Sequence, residues 1–298
     1  MTYEGYVQAV EAALDQAIPL PPTVYEDGHI PEPLARAMRY SLLTGGKRLR
    51  PVLLLAAVDM LGGDGVEAMP LACALEMIHT YSLIHDDLPA MDDDDTRRGC
   101  ATSHRAFGEA MAILAGDGLL NAAHELMLQN ALRYPAHLAR HVAAIAEISR
   151  RAGVTGMVAG QCMDVSSQGR GGDAALLRYI HLHKTADLLT APLAAGALLC
   201  GAPGYQVDAL SAFGQRLGLA FQISDDLLDV EGDPAAMGKA VGADARLRKL
   251  TWPGLHGVPA ARAQAEALLN QALDILAPFG APAAFLQNLA VSLASRRA

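Results

Sequence analysis

Apolar residues recur along most of the chain at the spacing of three to four residues that is typical of helices packed into a core. An amphipathic helix is predicted over 3–17 and ends at the proline-rich stretch 18–22. A second helix is predicted over 33–43. The segments 52–61 and 66–88 are almost wholly apolar, which indicates core helices. No segment shows a convincing strand alternation, so the pattern predicts an all-α protein.

The second half of the chain continues the helical pattern, with more breaks. Helices are predicted over 106–151, 176–200, 260–277 and 282–295. Interruptions are expected at Gly116-Asp117-Gly118 and near Tyr134-Pro135, and a kink or break is expected near Pro192. The glycine-rich stretch 153–161 lacks a phosphate-loop pattern and is better explained by close helix packing. Because there is no sequence repeat and no long linker, one all-helical domain spanning 1–298 is expected.

Composition narrows the class of protein. Hydrophobic residues make up 52% and charged residues 18% of 298 positions, which excludes a disordered chain. The net charge of −9 gives little support to binding of nucleic acid. The four cysteines form no CxxC pair, and we expect small core residues in a reducing cytosol. The longest uncharged run, 188–203, is too short for a membrane span, and no signal peptide is recognisable, so a cytoplasmic protein is expected.

The first candidate for chemistry is the stretch 78–98. It begins as an apolar run, continues into six aspartates, and closes on Arg97 and Arg98. Carboxylates this close repel one another unless a cation neutralises them. All-oxygen ligands favour Mg²⁺, which commonly bridges carboxylates to substrate phosphates. Taken alone, the run is equally typical of a solvated acidic loop.

A second acidic stretch, 221–229, argues against the solvated loop. Ala220, Ile223, Leu227 and Val230 predict an apolar stripe on one helix, whereas Gln222, Asp225, Asp226 and Asp229 follow another face. A surface helix would mix basic residues among these acids to gain ion pairs, and this one does not. We therefore expect the two acidic clusters to face each other across a cavity and to hold Mg²⁺ and a diphosphate.

Several cations suit an anionic substrate. Lys47, Arg48 and Arg50 follow two glycines, although short basic runs are usually solvated. His79 shares a helix face with Ser82 and Asp86, while an isolated histidine in such a helix is more often a core residue. Further lysines stand at 184, 239 and 249. The lysine at 184 and the threonine after it are either surface groups or phosphate ligands.

Together these residues resemble the trans-polyprenyl diphosphate synthases, and bacterial farnesyl diphosphate synthases most closely. The resemblance rests on G-G-K-R-L-R-P at 45–51, S-L-I-H-D-D-L-P-A-M-D-D-D-D at 82–95, R-R-G at 97–99, H-K-T at 183–185 and F-Q-x-x-D-D-x-x-D at 221–229. These motifs fall in the family's order over about 200 residues, which is far more specific than any single one.

The resemblance implies an isoprenoid-synthase-type helical bundle around a deep central cavity, a homodimer, and Mg²⁺ as cofactor, with three ions per site when substrate is bound. The implied metal ligands are Asp86, Asp87, Asp92, Asp225, Asp226 and Asp229. The implied contacts of the allylic diphosphate are Arg97, Lys184, Thr185, Gln222, Lys239 and Lys249, and those of isopentenyl diphosphate are Lys47, Arg50, His79 and Arg98. The residues implied to act in catalysis are Asp86, Asp87, Asp92, Arg97, Lys184 and Asp225.

The implied reaction joins isopentenyl diphosphate to dimethylallyl and then geranyl diphosphate. Tyr81 lies five residues before Asp86, about 7–8 Å along a helix, so its ring is a candidate floor of the cavity, with Ser82 beside it. An aromatic residue there resembles farnesyl-forming enzymes, so a C15 product is expected. Alternatively, Tyr81 is ordinary core packing and another residue sets the floor. Alternative functions are a geranyl or geranylgeranyl diphosphate synthase, a class I terpene cyclase, and a non-catalytic partner subunit. The intact second D-D-x-x-D motif argues against the last two.

Overall fold

The computed structural model describes residues 1–21, 23–24, 27–231 and 249–294. The predicted substrate contact Lys239 lies outside the described residues. Within them, regular structure is helical apart from two antiparallel two-residue strands, β1 (Thr96–Arg97) and β2 (Cys100–Ala101). The prediction of an all-α protein is confirmed.

The helices of the first half are α1 (Tyr3–Ala17), α2 (Glu32–Leu43), α3 (Leu49–Met60), α4 (Gly65–Asp86), α5 (Ser103–Phe107), α6 (Glu109–Arg133) and α7 (Leu138–Ala152). Those of the second half are α8 (Met157–Ser167), α9 (Ala174–Ile180), a π-helical segment (His181–Ala186), α10 (Asp187–Leu199), α11 (Gly204–Glu231), α12 (Trp252–His256), α13 (Val258–Leu276) and α14 (Ala284–Ala294). Short 3₁₀ turns occupy Pro135–His137, Ala277–Phe279 and Ala281–Ala283.

The helices pack into two compact units. The first unit contains residues 1–55 and 64–145, and its central element is α4, which packs against α1, α2 and α6. Asp64 caps the start of α4 by accepting a hydrogen bond from the amide of Val66 at 2.8 Å. Most residues of α4 between Glu67 and Ile84 are buried, as the apolar sequence of this segment predicts.

The second unit contains residues 56–63 and the described residues from 146 onward, and its central element is α11. Ala220, Ile223 and Leu227 of the predicted stripe are buried against α13 and the π-helical segment. Val230 does not continue the stripe and is 53% exposed, because it lies in the last turn of α11. This division describes packing and does not test the predicted single domain over 1–298, which stays a prediction.

Two predicted breaks are absent. Helix α6 runs unbroken through residues 116–118, where Gly116 is buried and Gly118 packs against Met38. Helix α10 likewise runs through Pro192, whose surroundings are buried on all sides. In both places tertiary packing outweighs the intrinsic cost of glycine or proline in a helix. The helix pattern over 176–200 is instead modified at the π-helical segment.

Among the described helices, none combines the length and the apolar character that crossing a membrane requires.

Candidate functional site

The first acidic motif surrounds the C-terminus of α4. The helix ends at Asp86, and the following loop folds back so that the amide of Asp92 donates to the carbonyl of Asp86 at 2.9 Å. A turn within the loop is closed by the bond from the amide of Met91 to the carbonyl of Leu88 at 2.8 Å. Both aspartates are partly buried. Residues 88–91 thus form a compact turn that brings Asp92 back beside Asp86.

Asp87 is engaged in a different way from these two residues. It is only 3% exposed, and both of its carboxylate oxygens accept from Nε of Arg97 at 2.8 Å. Burial by itself would lower the pKa of Arg97, but the hydrogen bonds and charge of Asp87 outweigh burial and raise it. Arg97 therefore stays fully charged and is held in one orientation. Asp87, Arg97 and Arg98 line a cavity that is partly open to solvent.

The predicted contacts of isopentenyl diphosphate lie in the same unit. Gly45 and Gly46 have φ values of 75° and 134°, in the region that favours glycine. Arg98 donates to the carbonyl of Gly45, and a Cβ atom on Gly46 would come within 2.7 Å of the Arg98 guanidinium carbon. The hydroxyl of Tyr3 donates to the carbonyl of Lys47. The glycines thus permit an arginine to lie directly against the backbone that carries Lys47.

His79 faces this group of cations. Burial, followed by the charges of Arg50 and Arg98, lowers the pKa of His79 well below its ordinary value of 6.5. Its imidazole is therefore neutral at neutral pH, and it can offer an N–H donor to an anion without adding charge.

We expect a His79→Gln variant to lose less stability than the parent chain as the pH falls below 6.5. In the parent, the imidazole takes up a proton below 6.5 in the unfolded chain but not in the folded chain. Unfolding is then favoured by at most about 1.4 kcal/mol per pH unit until the lowered folded pKa is reached, and this contribution is absent from the variant. Denaturant unfolding between pH 5 and pH 7 measures the difference. An exposed histidine, His29, provides the control as His29→Gln; equal slopes for the parent and His79→Gln would contradict the assignment.

Tyr81 and Ser82 lie on α4, four to five residues before the first motif begins at Asp86. Tyr81 is 8% exposed, and its ring meets His85 edge-on with 5.8 Å between ring centroids. Burial and the charge of Asp86 raise the pKa of Tyr81, so its hydroxyl stays protonated. Ser82 is partly buried and its hydroxyl donates to the carbonyl of His79 at 2.8 Å. Tyr81 is thus a rigidly packed aromatic ring one and a half turns before Asp86.

The second unit contains a cavity, partly open to solvent, in which separate parts of the sequence converge. It is lined by Asp164, Ile180, His181, Lys184, Thr185, Gln222, Asp226, Lys249, Leu250 and Thr251. Five of these residues are among the contacts and ligands that the motifs imply. They come from the π-helical segment, from α11 and from the segment before α12, so residues far apart in sequence share one polar cavity.

Hydrogen bonds fix the polar groups of this cavity. Lys184 Nζ donates to Asp164 at 2.5 Å, and the Thr185 hydroxyl donates to Gln222 Oε1 at 2.6 Å. The amide nitrogen of Gln222 in turn donates to Asp226 at 2.9 Å. The lysine is therefore held toward the cavity by a carboxylate that is itself 5% exposed.

Asp226 and Asp225 have different environments on α11. Asp226 is 3% exposed, accepts from the backbone amide of Trp252 at 2.8 Å, and lies 3.3 Å from Nε2 of His181. Asp225 is exposed and Asp229 is partly buried. The second motif thus combines one carboxylate that ties α11 to the π-helical segment and to α12 with two that are more accessible to a ligand.

Two ionisable residues of this cavity, Asp164 and His181, were not among the predicted contacts. The bond between Lys184 and Asp164 spans 20 residues, which no local pattern reveals. His181 could have been found from the sequence. A signal was present, because positions 181, 184 and 185 fall on one side of a helix.

Glycines set the backbone spacing around the π-helical segment. A Cβ atom on Gly160 of α8 would lie 2.1 Å from the backbone nitrogen of Lys184. On α11, a Cβ on Gly218 would lie 2.5 Å from Ala186 Cα, and one on Gly214 would lie 2.7 Å from Thr190 Cα. The predicted close helix packing around residues 153–161 is thus found at Gly160. There the backbone of α8 lies directly against the backbone of Lys184, a predicted contact of the diphosphate.

The acidic residues suit a metal that is shared with a substrate. In the described part of the chain, no three side chains of histidine, cysteine, aspartate or glutamate converge into a ready metal cage. The accessible carboxylates, Asp86, Asp92, Asp225 and Asp229, supply hard oxygen ligands. Mg²⁺ usually keeps several waters and binds through one or two carboxylates plus phosphate oxygens, so this donor set fits Mg²⁺.

Comparison with known proteins gives a consistent result. A profile of the polyprenyl synthetase family matches residues 31–277. A farnesyl diphosphate synthase of Geobacillus stearothermophilus is 48% identical, with 86% of this chain and 83% of the relative aligned. The large subunit 1 of a chloroplastic heterodimeric geranylgeranyl pyrophosphate synthase of Arabidopsis thaliana is 46% identical, with 91% of this chain and 72% of the relative aligned.

Solved structures agree with these relatives. An FPP/GFPP synthase from Zymomonas mobilis matches with a TM-score of 0.86 and 34% identity over 98% of this chain and 97% of that one. A geranyltransferase from Helicobacter pylori, complexed with magnesium and isoprenyl diphosphate, matches with a TM-score of 0.82 and 32% identity over 98% of this chain and 94% of that one. The resemblance recognised in the sequence motifs is confirmed.

Proposed function

The chain belongs to the polyprenyl synthetase family, and on this premise we propose that it joins isopentenyl diphosphate head-to-tail to dimethylallyl diphosphate and then to geranyl diphosphate. The proposed product is farnesyl diphosphate. Relatives include both farnesyl and geranylgeranyl diphosphate synthases, so elongation of prenyl chains is the common activity and the length of fifteen carbons is our own proposal.

The observation that carries the proposal is the convergence in the second unit. Lys184, Thr185, Gln222, Asp226 and Lys249 come from three separate parts of the sequence and line one cavity. Cations together with amide and hydroxyl groups are what a diphosphate requires, and Asp225, the exposed residue that precedes Asp226 in the sequence, offers a carboxylate to a metal. A surface charge cluster would show neither the buried Asp164 behind Lys184 nor a shared polar cavity.

We propose that Asp86 and Asp92 of the first motif and Asp225 of the second hold Mg²⁺, with support from Asp87, Asp226 and Asp229. When bound, Mg²⁺ neutralises charge that grows on the diphosphate as it leaves. The Helicobacter pylori structure, with magnesium and isoprenyl diphosphate, supports this choice of metal. Three ions per site is the expected number. The buried bonds of Asp87 and Asp226 favour a role for these two in orienting neighbouring groups.

Arg97, Lys184 and Lys249 are the proposed donors to the allylic diphosphate. As its carbon–oxygen bond breaks, negative charge develops on the bridging oxygen, and fixed cations stabilise that charge more than they stabilise the bound substrate. Arg97 is already oriented by Asp87, and Lys184 by Asp164, so little reorganisation is required. Lys239 is retained as a further proposed contact.

The remaining steps need no protein nucleophile. The allylic cation is attacked by the terminal double bond of isopentenyl diphosphate, which forms the new carbon–carbon bond. Loss of one proton restores a double bond, and the released diphosphate is the proposed base. Lys47, Arg50, His79 and Arg98 are proposed to hold isopentenyl diphosphate during attack. Exclusion of water, which would quench the cation, is the proposed role of the apolar helix faces.

The test is incubation of the purified chain with dimethylallyl diphosphate, isopentenyl diphosphate and Mg²⁺, followed by dephosphorylation and identification of the products. A linear C15 alcohol is the expected result, and a chelator should abolish it until Mg²⁺ is restored. A linear C10 or C20 alcohol as the main product would contradict the proposed length of fifteen carbons and indicate a geranyl or geranylgeranyl diphosphate synthase. A cyclic hydrocarbon would indicate a cyclase, and no product in the presence of both substrates would indicate a non-catalytic subunit.

We also propose a cytoplasmic homodimer. Leu114, Leu128 and Leu132 on α6 are 53%, 53% and 75% exposed, which supports association through this helix. The molar mass in solution tests the proposal, and a monomer at micromolar concentration would contradict it.

A further inference from the structure

A buried arginine lies in the sequence between Lys47 and Arg50, two of the residues proposed to bind isopentenyl diphosphate. Arg48 is 1% exposed. Its guanidinium donates to Glu11 of α1 at 2.6 Å, to Glu76 of α4 at 2.8 Å, and to the carbonyl of Leu42 in α2 at 2.7 Å. One side chain therefore links three helices of the first unit. The proposed function gives Arg48 no contact with either substrate.

The backbone at Arg48 is unusual as well. Its φ is 46°, in the left-handed region that residues other than glycine seldom adopt. Its carbonyl accepts the hydrogen bond from the amide of Val52 at 3.1 Å and so starts α3. Lys47 before it is exposed, whereas Arg50 after it is partly buried. The strained turn at Arg48 therefore separates these two cations, and the side-chain bonds of Arg48 hold the turn in place.

Glu76 is the anion at the centre of this region. It is 1% exposed and pairs directly with Arg48. Burial lowers the pKa of both Arg50 and Arg98, and the charge of nearby Glu76 opposes this shift in each guanidinium. Burial, opposed by Glu76, lowers the pKa of Arg50 to about 10. Nε of Arg50 is buried and has no acceptor within the described part of the chain, so this partly buried cation has unused hydrogen-bonding capacity.

Glu76 thus has alternative partners. If Arg48 were absent, a buried carboxylate would be left without its hydrogen-bonded counterion, which is costly in a protein interior. Arg50 and Arg98 are the nearby cations able to replace it. An arginine that pairs with Glu76 uses N–H donors and charge that it would otherwise offer to a diphosphate.

We propose that Arg48 is a positioning residue for the isopentenyl diphosphate site. By keeping Glu76 occupied and fixing the turn between Lys47 and Arg50, it leaves Arg50 and Arg98 available to the diphosphate. The inference rests on the proposed function only for the identity of the ligand, and binding can be measured without turnover.

The test compares Arg48→Met with the double variant Arg48→Met, Glu76→Met. In the single variant, KM for isopentenyl diphosphate is expected to rise about tenfold or more, while KM for dimethylallyl diphosphate changes less than about threefold. In the double variant, the unpaired carboxylate is gone, and KM for isopentenyl diphosphate should return to within about threefold of the parent value. Titration calorimetry with isopentenyl diphosphate alone should show the same loss and recovery.

A purely structural role predicts a different result. It predicts equal changes in both KM values, or a double variant no better than the single one, and either outcome overturns the proposal. Glu67→Gln is the matched control, because Glu67 is also buried on α4 but pairs with His137 and His141, and it should affect stability without affecting either KM.

If Arg48→Met does not fold, Arg48→Lys keeps one charged bond and should give a smaller rise in the KM for isopentenyl diphosphate. No such rise would overturn the proposal. Failure of the parent chain to condense the substrates would overturn the proposed function instead, and the calorimetry would still test Arg48.

Discussion

Replacement of Asp86 with asparagine is expected to lower kcat by about 10²–10³-fold, because one fixed charge opposite the leaving diphosphate commonly contributes several kcal/mol to a transition state. Asp86 ends α4, and the loop brings Asp92 back beside it through the amide bond to its carbonyl. Asparagine keeps that backbone contact and removes only the charge. The Mg²⁺ concentration for half-maximal rate should rise together with the loss of kcat, and steady-state kinetics across a magnesium series measures both.

Asp93 offers a control within the same loop. It is exposed, and its φ of 52° is a conformation that asparagine tolerates well, so Asp93→Asn should fold normally. Its kcat is expected to stay within about twofold of the parent, as for most surface substitutions. If both variants lost activity equally, the effect would come from the total charge of the loop, and the proposed role of Asp86 as a metal ligand would be wrong.

Replacement of Tyr81 with alanine is expected to shift the product from C15 to C20 and longer chains. The phenol ring is buried, meets His85 edge-on, and lies about 7–8 Å before Asp86 along α4, which is a little more than one prenyl unit. Its removal should open space for a growing chain. Chromatography of the dephosphorylated alcohols gives the product distribution directly, and the longest chain should exceed that of the parent by at least one prenyl unit.

The companion variant Tyr81→Phe keeps the ring and removes the hydroxyl. It should retain the C15 product, because the proposed stop is steric rather than polar. An alanine variant that remains folded and still stops at C15 would show that Tyr81 is ordinary core packing. Because truncation of a buried aromatic residue costs about 3–5 kcal/mol when it leaves a cavity, thermal unfolding of the variant should accompany the product analysis.

Most helices and the motifs could be predicted from the sequence because both depend on local patterns. Helix α1 begins and ends where its apolar spacing and the following prolines predict. The predicted breaks at Gly116-Asp117-Gly118 and Pro192 were wrong, because intrinsic propensity is weaker than the packing that surrounds these residues. The π-helical turn left no local signature, since it depends on how α8 and α11 pack around it.

Parts of the candidate site could not be predicted for a related reason. Bonds such as Lys184 to Asp164 and Arg48 to Glu11 join residues 20 and 37 positions apart. Their side chains are typical of solvated surfaces, and only the fold shows that Asp164 and Arg48 are buried. Nor does any local pattern distinguish Asp226, which is tied to Trp252 and His181, from its exposed neighbour Asp225.

The glycines that pack around the π-helical segment show that a position in this chain can be intolerant of substitution without taking part in the chemistry. Gly160, Gly214 and Gly218 leave no room for even a methyl group beside the backbone of Lys184, Ala186 or Thr190. In a survey of all single substitutions, these three positions would be as intolerant as the aspartates, although a glycine has no functional group to contribute. Selection at such sites acts on the distance between main chains, and a map of intolerance alone would mistake this spacing for catalysis.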